Sequence, residues 1–274
     1  MASVAIYNPK GGVGKTTLAV NLAWESANAG NRTLLWDLDG QGDSSAILIG
    51  NEKHPRLDAV KLMHGLVDVH LHIKPSKICG LDILVPEEEM RRTDNLFVYL
   101  AQQQRLGRLF TTFKDRYDRI IIDCPPGFSD TARTLLPAVD LIIVPVIPAP
   151  LAVRGLERVR AFITKKRGRH APLLPVFSMV DRRRALHKVG LSDHPDWPVV
   201  PMSSAIEQMT CRRLPVGAIA PNAAAAQVFN KLWTGIDRKL LQMRVARTVV
   251  QNTGQRRFEA ASKLGSVVGL SQNC

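Results

Sequence analysis

The chain has 274 residues, 45% hydrophobic and 22% charged, which suits one large α/β domain with a sizeable core or two small ones. No apolar stretch is long enough to span a bilayer, the first apolar run starts too near Met1 to leave room for a signal peptide, and four scattered cysteines (Cys79, Cys124, Cys211, Cys274) without a C-x-x-C pair argue against a zinc ribbon and suit a reducing cytoplasm. The net charge of +13 is uneven: residues 1–150 hold 16 Lys/Arg and 17 Asp/Glu, a net of −1, whereas residues 151–274 hold 21 and 7, a net of +14, the footprint of a polyanion binder.

The first predicted strand, 4–7, runs into Asn8-Pro9-Lys10-Gly11-Gly12-Val13-Gly14-Lys15-Thr16-Thr17. A helix is predicted from Thr16 to about Ala29, with Leu18, Leu22, Ala23 and Ala27 on its inner side and Gly30 as its C-cap. The continuous apolar run 33–36 predicts a buried parallel strand, which ends in Asp37-Leu38-Asp39-Gly40-Gln41-Gly42. Residues 52–80 carry no clear pattern. Further strands are expected at 81–85, 119–123, 140–146, 173–179 and 199–200, and helices at 95–114, 129–138, 151–166 and 223–243. This alternation predicts one α/β domain over residues 1–243, a doubly wound, mostly parallel sheet with helices on both faces. Residues 244–274 read as a trailing helix followed by a loose tail.

The glycine-rich turn between the first strand and helix has the chemistry of a phosphate grip. Without side chains at Gly11, Gly12 and Gly14, successive N–H groups can approach phosphate oxygens as an anion-binding nest, and the following helix adds its positive dipole end. Lys15 supplies a full charge for the outer phosphates and Thr16 a hydroxyl for Mg²⁺. In a doubly wound sheet, ligands gather at the carboxyl ends of strands, where Asp37, Asp39 and Asp123 are expected. An apolar strand ending in Asp123 has the Walker B arrangement, with a carboxylate able to act on Mg²⁺ near Thr16. Phosphoryl transfer then needs an in-line water and positive charge on the developing anion rather than covalent help.

The spacing departs from the common G-x-x-x-x-G-K-[ST]: Pro9 stands where the first glycine would be, and a second lysine, Lys10, precedes Gly11-Gly12. K-G-G-x-G-K-[ST] resembles the deviant Walker A box of the ParA/MinD family of ATPases. The segments 37–42, with Gly40 in place of the usual proline, and 123–127 are similar to that family's two switch regions. The resemblance covers most of the chain, to about residue 243. It implies ATP and Mg²⁺ as ligands, with Lys10 reaching the nucleotide of a second subunit, Asp39 orienting the attacking water, and Lys10, Lys15 and Asp39 as the catalytic set. Gly11, Gly12, Val13, Gly14, Lys15, Thr16, Thr17 and Asp123 would surround the phosphates, with Thr16, Asp39 and Asp123 at the metal. Met179, Asp181, Pro201 and Met202 would hold adenine. A homodimer formed on ATP is implied, bound without sequence preference to nucleoid DNA and released when a ParB-like or other partner stimulates hydrolysis. The basic runs Lys165, Lys166, Arg167 and Arg169; Arg182, Arg183 and Arg184; and Arg212 and Arg213 are the candidate DNA contacts. The alternative is a MinD-like regulator acting at a membrane surface, for which the tail 256–270 is a weak anchor: two glycines and two serines weaken its helix and its apolar face is thin. A metallocluster carrier, an ATP-coupled metabolic enzyme and an ATP-gated scaffold are further rivals; the cysteine pattern speaks against the first.

Overall fold

A computed structural model describes residues 1–50, 68–85, 98, 106–164 and 171–268, with backbone alone for 150–153 and 247–268. Eight strands form one sheet: β1 (Ala2–Ile6), β2 (Thr33–Asp37), β3 (Ile73–Pro75), β4 (Leu81–Leu84), β5 (Arg119–Asp123), β6 (Leu141–Val146), β7 (Leu173–Val180) and β8 (Val199–Pro201). Their order is β3-β4-β2-β5-β1-β6-β7-β8, and every pairing is parallel except that of the edge strand β3 with β4. The doubly wound fold read from the sequence is therefore present. β2, β5 and β6 are buried at every position, as expected of parallel strands covered on both faces. Each fully buried Leu or Ile there contributes about 2 kcal/mol of transfer free energy.

The helices are α1 (Lys15–Asn28), α2 (Asp43–Leu48), α3 (Leu106–Phe113), α4 (Asp130–Leu135), α5 (Pro150–Thr164), α6 (Ala185–Asp193), α7 (Ser204–Arg212), α8 (Val216–Ile219) and α9 (Ala224–Val268). A 3-10 turn, Val69–His72, leads into β3. On one face Trp36 meets Phe110 and Phe113 of α3 edge-on. α1 packs on β2 and β5, and its buried Asn21 ties it to the C-terminal helices. The Asn21 amide donates to the Thr17 carbonyl at 2.8 Å and to the Met209 sulfur at 3.1 Å, and its oxygen accepts from Val216 N at 2.9 Å. By contacts the chain forms two compact units, Met1–Trp233 and Thr234–Cys274.

The backbone of α9 is helical from Ala224 through Val268, with Gly254 and Gly265 inside it. Each interior glycine costs about 1 kcal/mol relative to alanine, which the surrounding Ala, Arg, Gln, Glu, Lys and Leu offset. The first half of the expected 95–114 helix lies mostly outside the described residues, as does the basic run Lys165, Lys166, Arg167 and Arg169.

β1 lies between β5 and β6; the chain leaves β1 for β2 on one side of the sheet and leaves the neighbouring β6 for β7 on the other. That reversal opens a crevice at the carboxyl end of β1, where the glycine-rich loop emerges.

Candidate nucleotide site

The loop after β1 is held from both sides. Buried Asn8 donates its amide to the Pro145 carbonyl at 2.8 Å, and its oxygen accepts from Lys10 N at 2.9 Å. The buried Ser178 hydroxyl at the end of β7 donates to the Val13 carbonyl at 2.6 Å. Between these anchors, Gly12 and Gly14 take φ of 68° and 86°, left-handed conformations that L side chains rarely adopt. A Cβ on Gly11 or Gly12 would meet no protein atom within 4 Å, so the cradle above them is open. Lys15 is buried and its ammonium donates to the Lys10 carbonyl at 3.2 Å, curling across the loop. α1 then starts with Leu18 N donating to Gly14 O, leaving earlier N–H groups directed out of its first turn.

Asp37 and Asp123 are register partners on β2 and β5, both buried. Asp37 is fully engaged: Oδ2 accepts from Ser45 N at 3.0 Å and Ser45 Oγ at 2.7 Å, and Oδ1 accepts from Asp39 N at 3.1 Å. Burial, with the Asp123 charge beside it, pushes its carboxyl well above the usual range. Asp123 accepts from Ser44 Oγ at 2.6 Å through Oδ2, while Oδ1 is buried with no partner among the described residues. Burial raises its pKa to about 6, against the opposing effect of the Ser44 and Thr16 hydroxyls and Lys15. Asp39 is partly exposed and accepts from Gln41 N at 3.1 Å.

The segment after β5 is stitched to the same loop. Gly127 N donates to the Pro9 carbonyl at 2.8 Å, the Tyr7 hydroxyl donates to the Gly127 carbonyl at 2.9 Å, and Cys124 N donates to Ile6 O at 3.2 Å. The segment 124–127 is thereby tied to the glycine loop.

A cavity of 390 Å³ gathers most of the expected residues. Gly11, Gly12, Gly14, Lys15, Thr16, Thr17 and Asp39 give it a polar, N–H-rich portion, and Met179, Val200, Pro201, Met202 and Ile206 an apolar one. Such a split suits a ligand with a phosphate chain and a flat apolar group. Met179 holds φ at 54°, uncommon for a non-glycine residue, beside an irregularity in the β7–β8 pairing.

Other expected residues fall elsewhere. Val13 is buried and Lys10 is exposed; neither lines the cavity, and the Lys10 ammonium has no partner among the described residues. Asp123 stands beside Thr16 rather than in the lining. Asp181 is not brought into the cavity: its carboxylate accepts from Arg183 at 2.9 and 3.0 Å, with Arg184 at 3.8 Å, and that pairing lowers its pKa to about 2. Arg182, Arg183 and Arg184 are exposed. Arg212 bonds Gln208 at 3.2 Å, and Arg213 closes α7 with φ of 53°. The sequence reading passed over Asn8, Ser44, Ser45 and Ser178, which hold the loop and the acids.

The donor set fits a divalent cation held together with phosphate oxygens: a threonine hydroxyl beside a buried carboxylate with one oxygen that has no partner among the described residues. Among the described residues no group of three or more His, Cys, Asp or Glu side chains could hold a metal by itself.

A family model described as an AAA domain matches residues 1–174. The chromosome partitioning protein ParA of Caulobacter vibrioides is 30% identical over 197 residues, covering 69% of this chain and 74% of that protein. The chain belongs to the ParA/MinD family of P-loop ATPases. Another family member similar to it is the sporulation initiation inhibitor protein Soj of Bacillus subtilis, 35% identical over 160 residues. That match covers 57% of this chain and 62% of Soj, less than two thirds of the relative's length. Among solved structures, the septum site-determining protein MinD of Pyrococcus horikoshii, complexed with Mg-ADP, superposes with a TM-score of 0.70 at 23% identity, over 86% of this chain and 96% of that one. At that identity the likeness establishes the fold. Among the described residues of this family member, no helix is long and apolar enough to cross a membrane.

Proposed function

We propose that the chain binds ATP with Mg²⁺, dimerises on it, binds DNA without sequence preference and positions a cargo, with slow hydrolysis to ADP and phosphate as the release step. One observation carries this reading most directly: the buried Asp123 oxygen that has no partner among the described residues, beside Thr16 at the foot of an open glycine cradle. The N–H groups of the loop and the Lys15 ammonium bind the phosphate chain, and the Met179–Met202 wall packs on the base. Thr16 and Asp123 would hold Mg²⁺, which would supply positive charge to the phosphate oxygens. Asp39 orients the attacking water. Lys10, exposed and unpaired among the described residues, reaches the nucleotide of a second subunit and adds charge there, so turnover stays low until two subunits face each other. A partner protein then accelerates hydrolysis, and the free chain works on the nucleoid in the cytoplasm.

The excess of positive charge in residues 151–274 supports the DNA step. Contacts to phosphate dominate such binding, and about six of them cost roughly a thousandfold in affinity between 50 and 200 mM salt. The test is co-sedimentation with duplex DNA in ATP, ADP or no nucleotide, at low and high salt. Retention with ATP alone, lost in high salt, is expected; equal retention in all three states would sink the ATP-gated DNA reading. A second reading, a MinD-like role on a membrane surface, draws support from the helical backbone that continues through Val268 in a segment carrying Arg244, Arg247, Arg256, Arg257 and Lys263. ATP-dependent retention on anionic vesicles, with none on DNA, would favour it.

A further inference from the structure

The first turn of α2 places two serine hydroxyls between two buried carboxylates and gives one to each. Ser45 donates to Asp37 at 2.7 Å and Ser44 to Asp123 at 2.6 Å. Both serines are buried, so water does not compete for either bond. The Ser44 bond occupies Oδ2 of Asp123 and restrains rotation of the carboxylate, which leaves Oδ1 as the oxygen without a partner among the described residues. A hydrogen bond from a neutral hydroxyl to a buried carboxylate is among the stronger kinds, and groups that orient a metal-binding carboxylate govern metal affinity. α2 also follows directly on the loop that carries Asp39, so the same bond ties that loop to the end of β5.

We propose that Ser44 is a positioning residue that holds the Asp123 carboxylate with Oδ1 free for the divalent cation of a bound nucleotide, and so sets the Mg²⁺ concentration at which nucleotide binds tightly. The proposal rests on the nucleotide reading above. Its test is the affinity of a fluorescent non-hydrolysable ATP analogue, measured in EDTA and across a Mg²⁺ titration, for wild type, Ser44→Ala and Ser45→Ala. Ser45→Ala removes a comparable hydroxyl from the same turn but one that serves Asp37. In EDTA the Ser44→Ala variant binds as wild type does, while its Mg²⁺ midpoint rises at least about tenfold; Ser45→Ala leaves the midpoint near the wild-type value. An unmoved midpoint in Ser44→Ala overturns the proposal, and so does an equal rise in Ser45→Ala, which would trace the effect to a loosened α2. Should Ser44→Ala lose its cooperative melt, Ser44→Cys, which keeps the volume with a much weaker donor, is judged by the same midpoint. Failure of the wild type to bind the analogue in either condition overturns the nucleotide reading itself, an outcome distinct from the other two.

Discussion

Asp123 serves two opposing demands. As an anion it can attract a cation, yet burial raises its pKa from 3.8 to about 6. Between those values the folded chain keeps a proton that the unfolded chain has released. The group's contribution to stability is therefore full below about pH 4 and is lost as pH rises through about 6, a change of about 3 kcal/mol for a shift of roughly two units. Asp123→Asn removes this slope, since an amide can still accept from Ser44 and place its NH₂ where Oδ1 has no partner among the described residues. Urea unfolding of the nucleotide-free protein at pH 4 and pH 7 should show the wild type losing about 3 kcal/mol more than the variant; parallel losses would contradict the assignment. At this scale the sequence showed Gly12, Lys15, Thr16 and Asp123 because spacing alone ties those residue types to phosphate and metal chemistry. It hid Ser44 and Ser178, whose partners lie 79 and 165 positions away along the chain. Asp181 lies outside the cavity lining, and arginines two and three residues on take its charge, a local pairing that competes with any ligand.

Element by element, legibility followed burial. The strands at 33–37, 119–123 and 141–146 carry apolar runs at 34–36, 120–122 and 141–146 and are buried throughout. By contrast α6 buries only His187 and α7 only Met209, so neither carries an apolar period to find. α2 and α8, with six and four residues, are too short for one, and β3 has three residues at the sheet edge. The short α8 is nonetheless tightly fitted: a Cβ on Gly217 would overlap the Trp24 indole of α1. Gly217→Ala should destabilise the protein by about 2 kcal/mol through overpacking, visible as a lower urea midpoint with an unchanged m-value. A midpoint equal to wild type would show that the α1–α8 contact yields. Asn21 adds a polar link across the same contact, joining the helix that begins at the phosphate loop to α7 and α8, and α7 contributes Ile206 to the cavity.

At the level of the whole molecule, the chain separates its chemistry by position. The near-neutral first half supplies the phosphate loop and the acids, and the basic second half supplies the apolar cavity wall and the exposed arginines. In the proposed function a triphosphate in the cavity lets Lys10 of one copy act on another. Sedimentation velocity in ATP–Mg²⁺, in ADP–Mg²⁺ and without nucleotide, on wild type and Lys10→Ala, measures this. The wild type should double its 30.3 kDa mass in ATP alone. Lys10→Ala should stay at protomer mass while calorimetry still detects nucleotide binding. A wild-type mass that is the same in all three conditions, or a Lys10→Ala chain that doubles as wild type does, would contradict the claim.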